Sequence, residues 1–208
     1  MAVWRFVKFC PKEAQLLADL TGVEADLTAT EEICRFLTEK KLEVQPDEPL
    51  MNTDLKEALY SAALIRYGRS FISGIRAKIP EDIIASLSIE QQETHKYFMN
   101  LRNKWIAHSV NDFEENTVIA YLTPEERGTR KISQICVQHA HVTYHGVETI
   151  SRLKNLAAEI RGRVAEIIKS ENRKVLKYAQ SLPVDQFYTQ KDSCKTPGAD
   201  AKKPRKKY

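Results

Sequence analysis

The sequence predicts a mainly α protein, a helical bundle with one inserted β-hairpin. Three observations carry that expectation. Apolar residues recur at steps of three and four, as in Ile150, Leu153, Ala157, Ile160, Val164 and Ile167, the spacing that lines one face of a helix. Thr28 with Glu31, and Ser88 with Gln91, repeat the pattern in which a hydroxyl and a side chain three residues later cap a helix start reciprocally. Only between Thr117 and Val137 do β-branched residues gather around turn chemistry.

In chain order, the first capping pattern opens a helix at Thr28 that runs through Lys40 and buries Ile33, Phe36 and Leu37. Gln45-Pro46-Asp47-Glu48-Pro49 then breaks the chain into a loop. A long helix follows from Asn52 or Thr53 to about Lys78, with Tyr60, Leu64, Tyr67, Phe71 and Ile75 as its apolar stripe. Pro80 ends that unit. Ser88 starts the next helix, which fades near His108 or Ser109. Thr117–Leu122 and Lys131–Val137 are the hairpin strands, joined through Thr123-Pro124-Glu125-Glu126-Arg127-Gly128. From about Gly146 a last long helix resumes. The expected division is one domain over 1–189, its hairpin at about 117–137, and a disordered basic tail over 190–208.

A chain of 208 residues, 42% hydrophobic and 29% charged, is long enough for one sizeable core. No apolar run approaches the roughly 18–20 residues that cross a bilayer, and the first ten residues are too interrupted for a signal peptide. Cys10, Cys34, Cys136 and Cys194 stand far apart without a C-x-x-C pair, which suits reduced thiols better than a disulfide framework or zinc site. These features point to a soluble, cytoplasmic protein without membrane partners.

The net charge of +4 is unevenly placed. Seven basic and two acidic residues follow from Gln190 onward, leaving 25 basic and 26 acidic residues in the body. The body is near neutral. The terminal Lys202-Lys203-Pro204-Arg205-Lys206-Lys207 run either binds nucleic acid, acts as an import-like patch, or is simply a solvated tail.

The residues richest in chemistry are Leu101-Arg102-Asn103-Lys104-Trp105-Ile106-Ala107-His108-Ser109. Arg102 is a permanently charged fork that matches phosphate oxygens. His108 is the side-chain type that takes up a proton near neutral pH. The two lie roughly 120° apart on a regular helix. Either the helix loosens before His108 or two subunits combine their residues. Phe98, Leu101, Trp105 and His108 also continue one stripe, so His108 as a helix-end structural residue and Arg102 as a surface ion-pairing residue stay open. A second group, Arg66, Arg69, Ser73 and Arg76, follows helical spacing. Its like charges need either carboxylates from neighbouring helices or a polyanion; Arg66 and Arg69 are the first choices for RNA-backbone contact.

His139 and His141 would share one side of a strand, with His145 nearby, but lack a companion ligand at metal spacing apart from distant Glu148. They read as hairpin-exit residues. No glycine-rich phosphate loop, internal repeat or Ser-His-Asp signature is present.

The Arg102-Asn103…His108 segment resembles the signature of the HEPN superfamily (higher eukaryotes and prokaryotes nucleotide-binding domains), in which an arginine precedes a histidine by a few residues. The resemblance is specific over about Phe98 to Asn111 and loose over the flanking helices; the hairpin departs from the simplest all-helical members. It implies a homodimer with two motifs at its interface and a metal-independent endoribonuclease needing no cofactor. His108 would be general base on the ribose 2′-hydroxyl or acid toward the leaving oxygen. Arg102 would stabilise the phosphorane-like charge, and Asn103 would position Arg102 or the phosphate. Arg66, Arg69, Arg76 and Lys104 are the expected RNA-binding residues. Family members of this kind serve toxin–antitoxin and phage-defence systems, often restrained by an antitoxin-like protein partner. Non-catalytic members exist too, so a dimer that binds nucleic acid or a protein partner is the alternative.

Overall fold

The computed structural model describes residues 6–39, 50–72, 76–106, 114–124, 126, 128, 130–141 and 146–190, with backbone only for 50–53, 105–106, 114–115 and 139–141. His108, Ser73, Ile75, His145, the 45–49 loop and the tail beyond Gln190 lie outside the described residues.

A 3₁₀ turn at Lys12–Ala14 leads into α1, Gln15–Glu39. The helix expected to start at Thr28 therefore begins thirteen residues earlier. Thr28 sits mid-helix, its Oγ1 donating back to the Glu24 carbonyl at 2.9 Å. Leu20, Val23 and Leu27 supply an upstream apolar stripe, so helix propagation continues through the capping pattern. Leu37 is buried and Ile33 packs against the core, but Phe36 is exposed, contrary to expectation.

α2 spans Leu50–Arg69 and buries Tyr60, Ala63, Leu64 and Tyr67 completely. It does not continue to Lys78. Ser70 and Phe71 donate to the carbonyls of Tyr67 and Gly68 in tight turns, and Ile79 donates back to the Ser70 carbonyl at 3.0 Å. Asp19 of α1 accepts a hydrogen bond from the Ala77 N–H at 2.9 Å. Tertiary bonds thus outweigh the helical spacing and draw the segment after α2 back over α1. α3, Glu81–Ala85, follows Pro80. α4, Ile89–Leu101, opens on the expected capping box: Gln91 N donates to Ser88 Oγ, and Ser88 N donates to Gln91 Oε1.

α4 passes into a π-helical turn over Arg102–Ile106. The hairpin is β1, Glu114–Leu122, against β2, Ile132–His141, antiparallel with an irregularity at Tyr121/Leu122. Both strands outrun the expected segments. Gly128 between them has φ 71°, the left-handed region that glycine enters without strain.

α5, Val147–Gln180, runs the length of the bundle, and α6 is a short turn at Asp185–Tyr188. Ile150, Leu153, Leu156, Ala157, Ile160 and Val164 of α5 enter one core with α1, α2, Ile83 of α3, Phe98 and Leu101 of α4. Polar ties register the layers: Arg161 of α5 pairs with Glu31 of α1, Arg152 donates to Thr94 of α4 at 2.9 Å, and Arg163 donates to Ser86 beyond α3. Cys10, Cys34 and Cys136 are free thiols; burial pushes the Cys34 thiol up to about 12. Among the described residues, no helix is long and apolar enough to cross a membrane.

Candidate functional site

The carboxyl end of α2 organises two groups of functional side chains on different flanks. On the α1 side stands Asp26, its side chain only 3% exposed. A buried carboxylate is costly unless paired and hydrogen-bonded, and three guanidiniums meet it. Arg66 Nη1 donates to Oδ1 at 2.9 Å and Arg76 Nη2 to Oδ2 at 2.8 Å; Arg69 Nε stands 3.6 Å from Oδ2. Burial pushes the Asp26 carboxyl up, but the hydrogen bonds from Arg66 and Arg76 and the charge of Arg69 outweigh it and hold the group below its ordinary value.

The three arginines do meet a carboxylate, as one of the two readings of their spacing required. Arg76 reaches it from the returning loop, not from the helix face that its number suggested. One negative charge against three positive ones still leaves the hub cationic. Arg66 and Arg69 keep about half their side-chain surface in solvent, at 47% and 52%, whereas Arg76 keeps 17%. Arg66 and Arg69 also occupy the last turn of α2, where positive charge complements the helix dipole.

On the other flank lies Arg102. A Cβ added to Gly68 would stand 3.1 Å from Arg102 Cγ and 3.2 Å from its Cδ. The absent side chain lets the arginine stem lie against α2. Its head group then donates from Nη1 to Asn103 Oδ1 at 2.9 Å. Arg102 is half-buried, while Asn103 and Lys104 are exposed. The helical step turns Gly68 about 100° from Arg69 and about 160° from Arg66. The hub and the motif arginine therefore occupy separate flanks, and no hydrogen bond or ion pair links them among the described residues. Regular α-helical stepping gives way to the π-helical turn over Arg102–Ile106, and such turns often mark functional segments; the position of His108 relative to Arg102 lies outside the described residues.

A residue not singled out from the sequence, His95, lies on α4 seven positions before Arg102. His95 Nδ1 shares a 2.8 Å hydrogen bond with Tyr67 Oη, and its ring meets Phe71 edge-on at 4.5 Å. Burial pushes the His95 imidazole down and the Tyr67 phenol well above its ordinary range. The signal was present as a seven-residue interval from His95 to Arg102, which returns almost to the same helix face. Asp26 was also missed. Asp19, Val23, Asp26 and Thr30 share a buried stripe of α1, and carboxylates inside such a stripe announce buried partners.

His139 and His141 lie two apart on β2, and no group of three or more His, Cys, Asp or Glu among the described residues is placed to hold a metal ion. Comparison of the chain with family models, curated proteins and solved structures found no match.

Proposed function

We propose that the chain is a metal-independent endoribonuclease of HEPN type, working in the cytoplasm as a homodimer. Arg102 stabilises the charge that builds on the phosphorus, His108 moves a proton, and Asn103 fixes the direction of the Arg102 fork. The observation that carries this reading is the seating of Arg102: its stem laid on Gly68 and its head bonded to Asn103 at 2.9 Å. A guanidinium aimed in advance stabilises a transition state without reorganising. Arg66, Arg69 and Arg76, with exposed Lys104, supply the positive field for the RNA backbone. A toxin or defence component of this kind calls for an antitoxin-like protein partner.

The test is cleavage of RNA by the purified chain in EDTA. His108→Ala should lower the rate by roughly 10²–10⁴-fold, the usual range for an acid–base group. Gly68→Ala sharpens the test. Alanine favours a helix by up to about 1 kcal/mol over glycine, so stability should hold or rise while the displaced Arg102 lowers cleavage. Strict dependence on added Mg²⁺, or equal rates for the His108 variant, would overturn the mechanism. The cationic hub supports a second reading, a non-catalytic dimer that binds nucleic acid or a protein. RNA binding by a wild-type chain that never cleaves would select it.

A further inference from the structure

α2 carries two apolar faces. Tyr60, Ala63, Leu64 and Tyr67 are sealed into the core. On the opposite side Leu55, Ala58, Ala62 and Ile65 follow one another at steps of three and four, and Arg69 continues the row. That is the seam through which one helix packs along another. Here it faces outward. Leu55 is 51% exposed and Ile65 39%, while Ala58 is exposed and Ala62 half-buried. The ends of the row carry opposite charges: Asp54 opens it, and Arg69 closes it with half its side chain in solvent.

Resting on the homodimer within the ribonuclease reading, and not on its chemistry, we propose that this face of α2 binds the same face of a second copy of the chain, antiparallel about a twofold axis. A twofold interface sets one surface against itself, so the surface must be self-complementary. A row with large side chains at its ends and small ones between reads the same in both directions. Its charges choose the direction. A parallel pairing would set Asp54 beside the partner's Asp54 and Arg69 beside the partner's Arg69, whereas reversal brings opposite charges together. In the reversed register Leu55 lies against the partner's Ile65, and Ala58 against the partner's Ala62. The alanines let the two backbones approach toward the near end of the about 8–10 Å range for packed helices. Asp54 then stands within a turn of the partner's Arg69.

Both end charges are able to take such a partner. Arg69 Nε stands 3.6 Å from Asp26, beyond hydrogen-bond distance, so its guanidinium still has donors to offer. Asp54 is exposed and makes no hydrogen bond or ion pair among the described residues. The partner's Asp54 thereby adds a second carboxylate to the hub in which three guanidiniums share Asp26. Arg66 is turned about 100° from Ile65, off the seam, and keeps its exposed flank for phosphate.

Sedimentation equilibrium of the full chain over a concentration series is the test. Wild type should dimerise. Ala58→Arg sets a long cation against the partner's Ala62 and should weaken the dimer by at least about tenfold, as an unpartnered charge in a packed seam does, with helix content by circular dichroism retained. Asp54→Arg should weaken it by a smaller factor that shrinks in high salt, because an exposed pair is screened. No effect of Asp54→Arg at low salt would refute the antiparallel register. A dimer unchanged by Ala58→Arg, or lost instead in the hairpin variant Leu122→Thr with Ile135→Thr, would overturn the surface and leave the homodimer standing. A wild type that stays monomeric would remove both, with cleavage still open to its own assay. Should Ala58→Arg unfold, methyl NMR of the intact chain decides: the Leu55 and Ile65 signals should move as the dimer forms, and unmoved signals would refute the contact.

Discussion

The helical core and the hairpin were both legible as apolar patterns, yet they end in opposite surroundings. In the core, Leu20, Leu27, Tyr60, Leu64, Leu153 and Ile160 are sealed completely. In the hairpin, Val118 pairs with Val137 and Ala120 with Ile135, an apolar face by the alternation of strands, and Leu122 pairs with Ile132 beyond the register irregularity. Val118 is nevertheless 69% exposed and Leu122 70%. No described element covers that face. Periodicity announces an element and its apolar side; what stands opposite decides whether burial stabilises it. A two-stranded ribbon alone is marginal in water, so the hairpin contributes little to the fold that carries it.

The strongest way to break this contrast is in the core. Leu153→Ala should cost about 2–5 kcal/mol, because a sealed leucine leaves a cavity as well as lost transfer energy; urea unfolding measures it. A loss under 1 kcal/mol would mean that α5 is less tightly packed than its burial implies.

The Asp26 hub lies between the two extremes. Asp26→Asn should destabilise by roughly 1–3 kcal/mol, the range for a hydrogen bond to a charged group, moderated because Arg66 and Arg69 remain solvated. The pH dependence has a fixed sign. A carboxyl lowered in the folded state stabilises fully above the unfolded value of about 3.9 and loses that contribution as pH falls through the folded value. The Tm gap between wild type and Asp26→Asn should therefore narrow below about pH 4. A gap constant with pH would show that the charge of Asp26 is not what holds the hub.

The smallest effect belongs to the hairpin. Leu122→Thr with Ile135→Thr should move stability by no more than about 0.5 kcal/mol, as for exposed positions generally. A larger loss, growing with protein concentration, would show that association covers this face and would erase the contrast.

The helical class, the hairpin, the α4 capping box and the α5 seam were all readable, because each rests on residues within a turn or two of one another. Two boundaries were not. The Thr28 pattern has the chemistry of a helix start, but Leu20, Val23 and Leu27 carry the helix past it. The spacing of Arg66, Arg69 and Arg76 suggested one continuous face, yet α2 ends at Arg69 and Arg76 returns through the loop. Of the candidate site, Arg102 and Asn103 were named from their neighbours in sequence, whereas the hydrogen bond of His95 joins it to Tyr67, 28 positions away.

By itself, the sequence determined where apolar stripes run, which helix Ser88 opens, and that three arginines required negative charge. Tertiary structure alone decided that Asp26 supplies that charge and that Gly68 seats Arg102. It also decided that the hub and the motif arginine stand on different flanks of α2. The physical reason is range. Capping and periodicity are set by hydrogen bonds and facing directions within one element. A buried carboxylate instead takes its partners from whatever the packing of other elements brings within reach, as α1 does here with residues 40 to 50 positions away.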